Sequence, residues 1–353
     1  MGSTNGRSRG SEKGLSYRSS AKGTAILILG MHRSGTSALT GVLSKRGVPL
    51  GSKLYEGHAG INDKGYFENA RLTDLDDDLL LALGSCWQDF LELPPKWWQQ
   101  PELDAFRRGM VSALSREFKD CDLWAIKDPR LCRLLPWWQS LLRECGWNAV
   151  YALLIRQPLE VAASLKRRDG FSTKRGVLLW VDYTLRSVSG TQGCARTLLT
   201  FDELMTDPVA ASSKVLKFVD PRWRPSLDNC NTDSLAGFLD QGLRHHRGKD
   251  TASDNEQQED ALIAGANELY DRLKNWNLGS APALEDNELD DWLLWRSRMV
   301  AGNGEVLCEQ LQEMMRAYGA AELARRRMYR AVSWKMGKPV RFAGRLFNRA
   351  IGR

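Results

Sequence analysis

The sequence predicts an α/β fold in which a parallel sheet is doubly wound, with helices on both of its faces. Four short apolar runs are typical of buried strands, and helical stretches lie between them. Glycine or charged residues follow each apolar run. In such folds ligands bind at the carboxyl ends of the strands, so we expect the functional site to be built from those four segments.

The predicted elements alternate along the 353 residues. The predicted strands are Ala25–Leu29, Leu123–Ile126, Ala149–Ile155 and Thr197–Phe201. The predicted helices are Thr36–Lys45, Asp74–Leu83, Leu103–Phe118, Pro158–Lys166, Asp260–Trp276, Asp286–Met299 and Glu305–Tyr318. Strands that alternate with helices in this way are expected to form a parallel sheet covered on both faces.

Composition divides the chain into four parts. Residues 1–23 are predicted to be a disordered basic arm, 24–250 the α/β domain, 251–322 a helical extension and 323–353 a basic amphipathic tail. The arm lacks the apolar stretch of a secretory signal. The tail has no acidic residue after Glu322 and interleaves cations with apolar side chains, which suits an anionic membrane surface. A plain tail or a partner contact is the alternative, and nucleic acid is not expected.

The bulk composition narrows the classes of function. Lysine and arginine number 50 against 43 acidic residues, a balance that favours anionic ligands or surfaces. No apolar run reaches the roughly 18 residues that a membrane-spanning helix needs. The seven cysteines are scattered and never form a C-x-x-C pair, which predicts a reducing, cytoplasmic location and argues against a zinc site.

The most informative segment is Gly30–Ser37, which directly follows the first apolar run. A glycine-bounded loop between a buried strand and a helix is a P-loop-like arrangement, because the helix N-terminus presents unpaired N–H groups to an anion. The Walker pattern needs lysine at the position occupied here by Thr36. The loop therefore predicts phosphate binding without the usual lysine of nucleoside triphosphate sites, with Arg33 as a cation.

Two further segments follow strands and carry cations. Arg156 precedes a predicted helix in which Ser164 lies about two turns along, so the two side chains could grip one phosphate dianion. Lys127 begins the run Lys-Asp-Pro-Arg and could supply the charge missing at Thr36; a surface ion pair is the alternative. With the first loop, these segments predict a ligand that carries two separated phosphates.

These motifs resemble those of the sulfotransferases that use 3′-phosphoadenosine 5′-phosphosulfate (PAPS). His32–Ser37 is similar to the family's loop P-[KR]-S-G-T-[TS], with histidine in place of proline. Arg156 and Ser164 keep the family's spacing of eight positions between arginine and serine. Phe201–Pro208 resembles the segment [YF]-[ED]-[DE]-L-x-x-D-P.

The resemblance spans residues 26–247 and looks nearest to bacterial sulfotransferases that act on glycans or glycolipids. Lys127-Asp128-Pro129 is similar to the lysine motif of tyrosylprotein sulfotransferases, in which the lysine contacts the transferring sulfonate. The R-K-G segment of cytosolic small-molecule sulfotransferases is absent, and Arg247 is the candidate for a related role near the adenosine.

The resemblance implies PAPS as donor, its desulfonated form PAP as product, and no metal. The implied cofactor-binding residues are His32, Arg33, Ser34, Gly35, Thr36, Ser37, Arg156, Ser164 and Arg247. Arg33 and Lys127 are expected to stabilise charge during in-line transfer. Glu68, flanked by aromatic residues, is the favoured general base, and His58, Asp63 and Asp74 are the other candidates.

The acceptor implied by the resemblance is a hydroxyl group of a glycan or glycolipid. The tryptophan-rich stretch 85–101 is a hypothetical part of the acceptor wall. Two other classes of function stay open: a P-loop kinase of a small molecule, against which Thr36 argues, and a non-enzymatic protein of the membrane surface. A peripheral position on the inner face of the membrane would suit the tail.

Overall fold

The computed structural model describes residues 21–56, 65–221, 238–239, 260–284 and 286–313. Its sheet consists of four parallel strands: β1 Gly23–Leu29, β2 Leu123–Lys127, β3 Trp147–Ile155 and β4 Arg196–Thr200. The strands lie in the order β2-β1-β3-β4, so β1 is an inner strand and its carboxyl end lies between those of β2 and β3.

Ten α-helices accompany this sheet in the described residues. They are α1 Thr36–Lys45, α2 Ala70–Ala82, α3 Asp104–Phe118, α4 Leu131–Glu144, α5 Pro158–Asp169, α6 Thr173–Gly190, α7 Phe201–Thr206, α8 Pro208–Leu216, α9 Ala261–Asn277 and α10 Asp286–Gly302. Two short 3₁₀ helices, Trp97–Gln99 and Pro101–Leu103, precede α3. A further helical segment covers residues 304–313.

Helices cover both faces of the sheet, which confirms the predicted doubly wound α/β class. On one face Ile26 and Ile28 of β1 share a core with α1 and α8. On the other face α4 and α6 pack on the inner strands and α9 packs on β4. Residues Ala25–Leu29 are completely buried, because the strand is covered from both sides.

The four predicted strands are confirmed to within two residues, with one correction. Phe201 begins α7 and does not end β4, because the Thr200 hydroxyl accepts a hydrogen bond from the Glu203 N–H and caps the helix. Helix α2 begins before the predicted Asp74, because Asn69 caps it by accepting from the Leu72 N–H.

Four helices were not predicted: α4, α6, α7 and α8. Helix α6 is buried along almost its whole length, so it lacks the polar stripe that makes a surface helix recognisable. Helix α4 contains Pro136, a residue that normally argues against a helix interior. Helices α4 and α6 lie between strands and α7 and α8 follow β4, so their absence from the prediction left the class of fold unchanged.

The chain divides into two units, residues 1–299 and residues 300–353. The first unit contains the sheet, and α9 and most of α10 belong to it. The predicted boundary at residue 250 lies outside the described residues, as do the predicted arm up to residue 20 and the basic tail. No helix in the described residues combines the length and the apolar character needed to cross a bilayer.

Candidate functional site

The loop after β1 has the backbone shape of an anion cradle. Gly35 and Arg33 have positive φ angles of 94° and 70°, and α1 begins at Thr36. A Cβ atom at Gly35 would lie 2.4 Å from the Phe201 ring, and one at Gly30 would lie 2.5 Å from the Leu154 carbonyl oxygen. Both glycines are therefore required, because no other residue fits this close approach.

Two polar atoms of this loop are buried without a hydrogen-bond partner among the described residues. The Ser34 hydroxyl oxygen, in a residue only 1% exposed, and the His32 Nε2 atom are both of this kind. Buried polar groups are almost always paired in folded proteins, and an exception points to a missing ligand or water. These atoms fit a loop that closes around an anion.

The two predicted anion-binding segments meet in the structure. Arg33 Nε donates to the Ser164 hydroxyl at 2.8 Å, and Arg156 Nη1 donates to the Arg33 carbonyl oxygen at 3.4 Å. Arg156 also pairs with Glu160 at 2.8 Å and lies 4.3 Å from the Phe201 ring centre. Its Nη2 is buried and makes no hydrogen bond to any described residue. The carboxyl ends of β1 and β3 thus form one continuous basic surface.

Positive charge is crowded around Arg33. Its pKa is lowered by burial first and then by the neighbouring cations Arg168, Arg156 and Arg167. Mutual repulsion of this kind costs free energy in the absence of a ligand, and an anion would relieve it. The electrostatics therefore agree with a site for a polyanion.

The predicted base and the predicted sulfonate-contacting lysine form one buried ion pair. Lys127 Nζ lies 2.5 Å from Glu68 Oε1, and the two residues are 3% and 8% exposed. The Tyr66 carbonyl oxygen accepts from Lys127 Nζ at 3.4 Å and from the Ser37 hydroxyl at 3.3 Å. This carbonyl links the end of β2 to the start of α1. The ion pair therefore adjoins residues 30–37, which we call the phosphate loop after their predicted ligand.

His32 faces an aromatic neighbour that the motif did not indicate. Its ring centre lies 4.4 Å from that of Trp87. Burial lowers the pKa of His32 well below its usual value, and the cations Arg168, Arg130, Lys127 and Arg33 lower it further. The imidazole is therefore neutral at pH 7, so it adds hydrogen-bonding capacity but no charge to the loop.

A buried carboxyl pair lies beneath Lys127, and sequence reasoning missed it. Asp128 accepts from the backbone N–H and the guanidinium of Arg130, each at 2.9 Å. Asp76, which accepts from Trp138 Nε1 at 3.0 Å, has its pKa raised well above the usual value by burial and by Asp128. The acidic run 76–78 could have indicated this pair. Three consecutive residues of a helix point in directions about 100° apart, so they are not expected to share one solvent-facing side, and Asp76 is the buried one.

Of the other predicted base residues, only Asp74 lies in the described part of the chain. It is exposed on α2 and accepts a hydrogen bond from the Tyr55 hydroxyl. Burial, and to a smaller extent this hydrogen bond, raises the pKa of Tyr55 to about 12. His58, Asp63 and Arg247 lie outside the described residues.

The tryptophan-rich stretch is divided between two roles. Trp87 adjoins the phosphate loop, as its contact with His32 shows. Trp97 is buried and stacks on Trp137 of α4 at 6.2 Å, so the expectation that it lines an acceptor wall is wrong. A buried indole in this position fills the core between the 3₁₀ helices and α4.

No family model matches the sequence, and no curated protein matches it. The chain is similar in fold to solved sulfotransferase domains from the curacin biosynthetic pathway and from the olefin synthase of Synechococcus PCC 7002, at 14% and 17% identity. Both matches cover 70% of this chain, and 98% and 94% of the solved chains, with TM-scores of 0.40 and 0.36. A sulfotransferase of Mycobacterium tuberculosis H37Rv is similar at 14% identity, over 64% of this chain and 76% of that one, with a TM-score of 0.31. The likeness is one of fold alone.

Proposed function

We propose that this protein is a sulfotransferase that moves the sulfonate of PAPS to a hydroxyl group of a glycan or glycolipid. The observation that carries the proposal is the 2.8 Å hydrogen bond from Arg33 to Ser164. It joins the two predicted anion-binding segments, which follow the neighbouring strands β1 and β3. The buried pair of Lys127 and Glu68 adjoins them through the Tyr66 carbonyl. A cation, an anion cradle and a carboxylate therefore lie together.

The residues fit a donor with two separated phosphates. The phosphate loop, with the buried unpaired Ser34 hydroxyl, would hold the 5′-phosphosulfate. Arg156, with its unpaired Nη2, and Ser164 would hold the 3′-phosphate. Thr36 stands where a nucleoside triphosphate site would need lysine, so the donor phosphates rely on arginine and on backbone N–H groups.

PAPS supplies a sulfonate that is activated by its bond to the 5′-phosphate. As the acceptor oxygen bonds to sulfur, Glu68 takes the hydroxyl proton, the sulfur–oxygen bond to the phosphate breaks, and PAP leaves with that electron pair. Negative charge grows on the leaving oxygen, so Arg33 and Lys127 would stabilise the transition state more than the ground state. Placement and charge stabilisation account for the catalysis, and the proposed step involves no metal.

The ion pair suggests how the base is kept ready. At 2.5 Å, Lys127 holds the Glu68 carboxylate in place beside the phosphate loop, which fixes the orientation that a proton acceptor requires. A sulfonate beside Lys127 would share that ammonium and leave Glu68 able to accept a proton. The pair would therefore serve both halves of the reaction.

Binding of PAP and of ATP, each with and without magnesium, tests the donor. We expect tight, metal-independent binding of PAP by calorimetry, and roughly 10- to 100-fold weaker binding in Arg156→Ala, because a charged hydrogen bond contributes about 1.5–3 kcal/mol. Arg108→Ala, at an exposed position on α3, is the matched control and should bind PAP normally. Preference for ATP with magnesium would replace this proposal with the kinase alternative.

Glycan and glycolipid acceptors follow from the motif resemblance, and the basic tail agrees with an acceptor held at an inner, cytoplasmic membrane surface. Transfer of labelled sulfonate from PAPS to a panel of bacterial glycans and glycolipids tests this part. Binding of PAP without transfer to any acceptor would favour the non-enzymatic alternative. Deleting residues 323–353 should spare transfer to a soluble acceptor and reduce sedimentation with anionic vesicles.

A further inference from the structure

We propose that Arg296 of α10 is a positioning residue that seats Trp87 against His32 of the phosphate loop. Arg296 acts on the Trp87 segment, by which we mean residues 85–92. The catalytic consequence rests on the proposed function, whereas the seating of Trp87 does not. The inference makes α10 a functional part of the site, although no residue of α10 belongs to the phosphate loop itself.

Arg296 binds the Trp87 segment at two points. Its Nη2 donates to the Phe90 carbonyl oxygen at 2.6 Å, and its Nη1 pairs with Glu92 at 2.6 Å. Its Nε donates to Asp182 of α6 at 2.8 Å, so the guanidinium bridges the segment to a helix of the core. Arg296 and Leu289 are the two buried residues of α10 among the residues that the structure describes.

A second arginine holds the same segment from the core side. Arg133 of α4 donates to the Ser85 hydroxyl at 3.1 Å and to the Leu91 carbonyl oxygen at 3.0 Å. It also contacts Asp182 at 3.3 Å. Asp182 therefore anchors both arginines, and the Trp87 segment is held between α4 and α10.

The cluster is balanced in charge. Three arginines, Arg133, Arg186 and Arg296, face three carboxylates, Asp89, Asp182 and Glu92, through the contacts of the described residues. Burial alone would raise the pKa of Asp182, but the cations Arg186, Arg296 and Arg133 lower it below its usual value. A cluster in which each arginine faces a carboxylate is suited to holding a fixed geometry.

The held segment ends at the phosphate loop. The Tyr183 hydroxyl, one residue beyond Asp182, donates to the Trp87 carbonyl oxygen. The Trp87 ring then lies 4.4 Å from His32, and the Arg168 guanidinium lies 5.2 Å from the same ring. A continuous set of contacts therefore runs from Arg296 to the loop, and its loss should let the indole move away from the imidazole.

The ring current of Trp87 provides a readout that does not depend on turnover. The protein has four histidines, and the His32 imidazole resonance can be assigned by its loss in His32→Gln. We expect Arg296→Gln to move this resonance towards the position of an unstacked imidazole. It should also raise the KM for the donor several-fold while changing kcat less. Arg298→Gln, an exposed substitution on the same helix, should change neither.

Glu92→Gln provides a second variant in case Arg296→Gln does not fold. Glu92 is 66% exposed at its side chain, so its substitution is mild, and it should shift the His32 resonance in the same direction by less. An unchanged His32 resonance in folded Arg296→Gln or in Glu92→Gln would overturn the proposal. If Arg296→Gln shifts the His32 resonance but the wild-type protein transfers no sulfonate, the seating of Trp87 is supported and the proposed function is contradicted.

Discussion

The phosphate loop and the Asp182 cluster are both buried, polar and rich in arginine, yet they differ in one respect. Around the loop, burial first and then neighbouring cations lower the pKa of Arg33, and the buried Ser34 Oγ atom has no hydrogen-bond partner among the described residues. Around Asp182, three arginines meet three carboxylates. Crowded cations favour the binding of an anion, whereas oppositely charged neighbours hold one another in place.

The sharpest test of this comparison is Lys127→Ala at the ligand side. Transfer should fall by about 100- to 1000-fold or more, because a preorganised cation facing developing charge contributes on that scale. Steady-state rates with labelled PAPS measure the loss. PAP binding should change much less, and full activity in Lys127→Ala would remove the lysine from the proposed mechanism.

Glu68→Gln separates proton transfer from charge stabilisation. We expect kcat to fall by about 100-fold or more, because general-base catalysis contributes roughly 10²–10⁴ and glutamine cannot accept the proton. Asp74→Asn, on the exposed surface of α2, is the control and should retain the wild-type kcat. An unchanged kcat in Glu68→Gln would return the role of base to another residue.

Asp182→Ala tests the structural side of the comparison. It leaves Arg133, Arg186 and Arg296 without their shared carboxylate, so the free energy of unfolding should fall by about 3–5 kcal/mol. Urea titration measures this loss. Arg156→Ala removes a cation from the crowded region and leaves a single carboxylate, Glu160, without its partner, so it should cost less stability. Equal losses in the two variants would contradict the distinction between the two regions.

The smallest expected effect concerns Asp76, which belongs to neither extreme. Its pKa is raised in the folded protein, so the folded state binds more protons than the unfolded state between about pH 4 and that raised value. Stability contributed by the protonated carboxyl is therefore lost as pH rises. Asp76→Asn mimics the protonated form and should flatten the fall in unfolding free energy as pH rises above about 4. Asp78→Asn, exposed on the same helix, should keep the wild-type slope.

The predicted site residues in the described part of the chain meet with different outcomes. Glu68 and Lys127, 59 positions apart, form one ion pair, which no spacing in the sequence could show. The Ser164 hydroxyl accepts from Arg33 and keeps its own proton to donate, so its expected sharing of a phosphate with Arg156 stays a prediction. Asp74 is exposed and bonds Tyr55, so the structure gives it a surface position. The role of each residue in transfer stays a prediction for the experiments above.

Sequence alone determined the class of fold and the glycine-bounded loop between β1 and α1, because both depend on residues that are close in the sequence. A buried apolar run, the segment Gly30–Ser37 and an amphipathic stretch follow one another directly, which predicts a strand, a tight loop and a helix. Strand β1, the loop and α1 confirm that order. Helix α6 was not predicted because it packs against other elements on several sides. Its sequence therefore lacks the separation into one apolar and one polar face that identifies a surface helix.

Only the tertiary structure decided which distant charges meet. Arg296 lies 114 positions from Asp182 and 204 positions from Glu92, yet it contacts both. Local propensity carries no information about such pairs, because their free energy arises from burial and from partners supplied by other elements. The sequence therefore determined the class of fold and the glycine-bounded loop after β1, whose anion binding stays a prediction, and the folded chain decided which residues surround that loop and what holds them there.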